Sequence, residues 1–136
     1  MNLPERIEAV VRVSSGFPWL GQLTVQAVRE WIVLELGDPP LMPQRYGRHQ
    51  VVAIPYSPIL HIVSGNTPHA ALQTLIRGIL LGAENLIKVP SNGLPQVERF
   101  VGLLPKAIQP MIGHGLPASW LENAAAFRCL GTARWI

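Results

Sequence analysis

The clearest order along the chain lies in residues 58–91, PILHIVSGNTPHAALQTLIRGILLGAENLIKVPS. An apolar, β-branched run at 59–63 gives way to the polar turn Ser64-Gly65-Asn66-Thr67, and Pro68 opens the next element. Leu72, Leu75, Ile76, Ile79 and Leu80 then recur at i, i+3, i+4, i+7 and i+8, the apolar stripe of an amphipathic helix. Gly82 ends the stripe, and a second strand at 85–89 leads into Pro90-Ser91. Strand, turn, helix, glycine stop and strand predict a βαβ unit with parallel strands and a right-handed crossover.

The flanks extend this pattern. Residues 3–13 read as a short helix with Pro4 near its start, broken by Ser14-Ser15-Gly16-Phe17-Pro18. Residues 23–36 read as a second helix, capped by Thr24 and stopped by Gly37-Asp38-Pro39-Pro40, with Trp31 a packing residue. Residues 41–47 form a connector without periodicity, and 50–54 (QVVAI) a strand at an edge or leading into the central unit. After Ser91, Asn92-Gly93 is a turn, and Val97, Phe100, Val101 and Leu104 mark the apolar face of another helix. Pro105 and Pro110 divide that region into two short helices. Gly113-His114-Gly115-Leu116-Pro117 reads as a loop, and 124–130 (AAAFRCL) as the third parallel strand, ending at Gly131-Thr132. The expected fold is therefore α/β, a βαβαβ half of a Rossmann-like parallel sheet. Residues 1–45 would be an N-terminal helical segment, and 46–136 a partial dinucleotide-binding domain that stops where its third loop begins.

This topology locates a site. Open parallel sheets bind ligands beyond the carboxyl ends of their strands. Gly65, Asn66 and Thr67 come after the first strand, while Lys88 and Ser91 stand at or just past the end of the second. Asn66 or Thr67 can cap the helix, Pro68 suits its first position, and a helix N-terminus favours negative charge. Any βαβ unit needs a turn and a cap, so a plain structural role stays open for these residues.

Composition narrows the classes. Charged residues make up 14% of the 136 and hydrophobic ones 49%, with a mean hydropathy of +0.26, so polar surface is scarce. Arg77, Glu84 and Lys88 interrupt the most hydrophobic region before it reaches the length of a bilayer span, and no signal-peptide core opens the chain. A cytoplasmic protein without a membrane span is expected, with more apolar surface than it can hide alone. The net charge of +3 is spread rather than striped, which argues against nucleic acid and suits a small anion. A single cysteine, Cys129, leaves no internal disulfide or cysteine-built metal cage. His61, His69 and His114 lack ligand spacing, so no metal site is expected. His61 reads as a hydrogen-bonded core residue, and His69, in the first turn of the helix beside Asn66, as an exposed N-terminal residue, with substrate contact the alternative.

Taken together, Gly65-Asn66-Thr67-Pro68, Leu81-Gly82-Ala83-Glu84-Asn85 and Lys88-Val89-Pro90-Ser91 resemble the aldehyde dehydrogenase superfamily. They look most like its acyl-CoA reductase branch, which includes the fatty-acid reductase of bacterial luminescence. The detailed likeness covers about forty residues, and order and spacing extend it from about Tyr46. The resemblance implies that Asn66 is an oxyanion-hole donor to a thioester carbonyl. It implies that Lys88 and Ser91 hold the adenosine ribose or its 2′-phosphate, and that Gly131-Thr132 start the loop nearing the pyrophosphate. The cofactor would be NADP (or NAD) and the substrate an acyl-CoA or acyl-thioester.

Some features depart from the family. Its nucleophilic cysteine belongs to a separate downstream domain, and Cys129, inside an expected strand, reads as a small packing residue. Val89 interrupts the family's Lys-Pro-Ser, and Arg128 falls in a strand that should be apolar. A truncation or frameshift near Phe127 would account for that ending. The chain is thus expected to need a catalytic domain or partner subunit and to have no reductase activity alone. The alternative is a non-catalytic nucleotide-binding or subunit-interaction module.

Overall fold

The computed structural model describes residues 1–63 and 67–110, and the backbone of 111–114. Its helices form where the sequence supplies both an apolar stripe and end signals. Helix α1 (Leu3–Ser14) begins with a capping box: the Glu5 amide donates to Asn2 Oδ1 at 3.0 Å and the Asn2 amide to Glu5 Oε2 at 2.8 Å. It buries Ile7, Val10 and Val13. Helix α2 (Val25–Leu36) starts at Thr24, whose hydroxyl accepts from the Ala27 amide at 3.1 Å, and ends at Gly37.

The connector read between 41 and 47 is instead half of a hairpin. Strand β1 (Gln44–Tyr46) pairs antiparallel with β2 (His49–Val51), Tyr46 opposite His49. A two-residue loop joins them, and Gly47 at φ 59° followed by an arginine without positive φ fits a type II′ turn. The strand expected at 50–54 therefore starts one residue earlier, stops at Val51 and belongs to this separate two-stranded sheet.

Among the described residues the main sheet holds three parallel strands in sequential order. Strand β3 (Ile59–Ile62) is followed by α3 (Pro68–Leu81), and β4 (Asn85–Val89) by α4 (Pro95–Leu103) and then β5 (Met111–His114). A mixed α/β fold with a small parallel sheet is thereby present. Residues 113–114, expected in a loop, are the end of its third strand, because their backbone pairs with Lys88 and Val89 of β4. The strand expected at 124–130 lies outside the described residues.

All five stripe positions of α3 are buried, and α1, α3 and α4 pack against one another over the sheet. Ile87 and Val89 of β4 join Phe17, Phe100, Val97 and Leu104 in this core. Gly82, left-handed at φ 79°, closes α3, and Arg6 packs against it. The Arg6 guanidinium donates from Nε to the Leu80 carbonyl at 3.2 Å, so α1 supplies a cation to the C-terminus of α3. Desolvation of Arg6 lowers its pKa below the ordinary value.

Alternation along the strands gives the sheet two unlike faces. Ile59, His61, Asn85, Ile87 and Val89 share the helix-covered face. Leu60, Ile62, Leu86 and Lys88 share the other, where Leu60 is 41% and Ile62 69% exposed. Among the described residues, no helix is long and apolar enough to cross a membrane.

Candidate functional site

The parallel register sets the ends of β3 and β4 side by side. Ile62 pairs with Lys88, the Val63 amide donates to the Lys88 carbonyl at 3.2 Å, and Lys88 pairs on its other side with Gly113. Lys88 is thus the penultimate residue of the middle strand, half-buried and on the face away from the helices. Two residues on, the Gly93 amide donates to the Pro90 carbonyl at 2.8 Å, closing a turn whose tip is Ser91-Asn92. Gly93 takes a φ of 74° there, and Ser91 is exposed. A lysine ammonium and a serine hydroxyl therefore stand on one rim of the sheet, donors suited to ribose and phosphate oxygens.

The same rim receives the start of α3. Thr67 precedes the helix without capping it through its side chain, and Pro68 occupies its first position. Asn66 lies outside the described residues, as do Gly131, Thr132 and Cys129, so Lys88 and Ser91 are the candidates whose placement the structure describes.

Sequence pattern singles out His69 beside this rim but not the tryptophan that packs on it. The 3₁₀ turn Pro18–Leu20 carries Trp19 against His69, the second residue of α3, edge to face with ring centroids 6.0 Å apart. Phe17 meets Trp19 at 6.0 Å and Phe100 at 5.4 Å, and the Arg99 guanidinium lies 5.4 Å from the Phe17 ring. An aromatic series thus runs from the core, through Phe17, to the first turn of α3. The one local signal was a tryptophan in a helix break, a place where it has no stripe to join.

Family models, curated proteins and solved structures offer no match to this chain.

The hollows found among the described residues lie away from the rim. A groove of about 290 Å³ between α2 and α3 is lined by Trp31, Ile32, Leu36, Arg77 and Leu80, with Arg77 stacked 5.5 Å over Trp31. A cleft of about 460 Å³ at the amino ends of β4 and β5 is lined by Arg6, Glu84, Asn85 and Gln109. Near it, His61 and Asn85 are buried and bonded. Asn85 Nδ2 donates to the Ala83 carbonyl at 2.7 Å, so its Oδ1 accepts from His61 Nε2 at 2.9 Å. His61 is the core residue its apolar strand suggested. Among the described residues no group of histidine, cysteine, aspartate or glutamate could hold a metal ion.

Proposed function

We propose that the chain is the N-terminal cofactor-binding portion of an NADP-dependent acyl-CoA reductase of the aldehyde dehydrogenase superfamily. The observation that carries this reading is the parallel pairing of Ile62 with Lys88. It brings the end of the asparagine-turn strand and the lysine-tipped strand to one rim, where a doubly wound sheet takes a dinucleotide. Lys88 would place its charge near the adenosine ribose and a 2′-phosphate, and Ser91 would donate to or accept from a ribose hydroxyl. Asn66, by resemblance, would donate its amide to the thioester oxygen as negative charge develops there. The nucleophile would come from a cysteine of a further domain or partner subunit, not from Cys129. When bound, the reduced nicotinamide supplies the hydride that turns the acyl-enzyme into aldehyde. The setting expected for this chemistry is cytoplasmic.

Thermal melts of the chain with and without NADPH test the reading, since a ligand that binds only the folded state must raise the midpoint. An increase that saturates with NADPH is expected; no increase at millimolar NADPH refutes it.

A second reading is favoured by the open sheet face. Parallel sheets are ordinarily covered on both sides, and here Leu60 and Ile62 stay exposed. In this reading the chain is a subunit-interaction module that docks through that face. Gel filtration of Ile62→Glu would then show less self-association than the unaltered chain, with an unchanged melting midpoint.

A further inference from the structure

Beside the first turn of α3, one aromatic side chain among the described residues is both fixed and accessible. Trp19 is 41% exposed, yet it meets both Phe17 and His69 edge to face with ring centroids 6.0 Å apart. Phe17 is itself buried, packed edge-on against Phe100. The indole is therefore held on core residues and against the first turn of the helix after β3. A ring so anchored loses little freedom when something stacks on it. Planar heterocycles are the natural occupants, because stacking on an aromatic face depends little on which base is present.

We infer that Trp19 contacts the ligand beyond the carboxyl ends of the strands, taking a planar heterocycle of the dinucleotide, with His69 its positioning partner. This role presupposes the cofactor reading proposed above, and it assigns to the segment before α2 a part in recognition. The heterocycle is either the adenine or the nicotinamide. Only the first is retained in 2′,5′-ADP, which separates the two.

The test measures binding of NADPH and of 2′,5′-ADP to the 136-residue chain, to Trp19→Phe and to Trp19→Ala by calorimetry. Trp19→Ala should weaken NADPH about tenfold, the scale of one lost ring–base stack, while Trp19→Phe stays within about threefold. Loss of 2′,5′-ADP affinity in parallel assigns the adenine, and retention assigns the nicotinamide. As a second measurement, a variant with Trp31, Trp120 and Trp135 replaced by phenylalanine reports Trp19 emission alone. Dihydronicotinamide absorbs that emission, so bound NADPH should quench it, whether or not Trp19→Ala folds. Unaltered NADPH affinity in Trp19→Ala, or unquenched Trp19 in a chain that NADPH stabilises, overturns the inference and leaves the cofactor reading standing. Absence of NADPH binding to the unaltered chain defeats the cofactor reading, and this role with it.

Discussion

Gly78→Ala sets helix propensity against packing. In an exposed helix interior, replacing glycine by alanine gains about 1 kcal/mol. Gly78, however, is buried in α3, and a Cβ there would land on the amide oxygen of Asn85. That oxygen is not free to swing away. Asn85 is tied through Nδ2 to the Ala83 carbonyl at 2.7 Å, and through Oδ1 to His61 at 2.9 Å, out of reach of solvent. If the helix yields, overpacking costs about 1–3 kcal/mol. If the amide yields, a buried histidine loses its partner at about the same cost, 1–3 kcal/mol. Movement shared between the two cannot cost more than the cheaper route alone, so the cost is about 2 kcal/mol, and subtracting the propensity gain leaves a net loss of about 1 kcal/mol. For a chain of this length that corresponds to a midpoint about 4 °C lower. Urea melts should show a lower midpoint at constant slope. Pairing Gly78→Ala with Asn85→Ala should cost less than the two single losses summed, since the clash is gone once the amide is removed. A midpoint that rises in Gly78→Ala, as propensity alone demands, would refute the close approach of α3 to β4.

Thr24→Ala removes the hydroxyl that accepts from the Ala27 amide, and should cost about 1 kcal/mol, or roughly 4 °C in a thermal melt. Lys88→Met keeps the half-buried stem and drops the charge; NADPH affinity should fall about tenfold in calorimetry while the ligand-free melt is preserved. An equal loss of NADH affinity would assign the lysine to the ribose rather than to the 2′-phosphate.

The sequence disclosed those elements whose ends and faces are written locally. The stripe from Leu72 to Leu80, the Thr24 cap and the left-handed Gly82 each declare themselves within one or two helical turns, and all three stand in the structure. The elements that escaped depend on partners elsewhere. Gln44–Tyr46 and His49–Val51 are short and largely exposed, so they carry no apolar alternation, and only the Gly47 turn marks the hairpin. Met111–His114 contains a glycine and precedes another glycine and a proline, which reads as loop. Its strand character comes from the ladder β4 offers, a tertiary influence that outweighs propensity. At the rim, Lys88 could be placed because strand 85–89 ends visibly. Trp19 could not, because its neighbour His69 is fifty positions away and meets it only through the packing of Phe17 on Phe100.

The unlike faces of the sheet have a calorimetric consequence. Docking onto Leu60 and Ile62 would take hydrocarbon out of water, so its enthalpy would grow more favourable with each degree of warming, the mark of a negative heat-capacity change. Such a contact also loosens in the cold. An assembly built on this side of the strands would be held most weakly in the refrigerator.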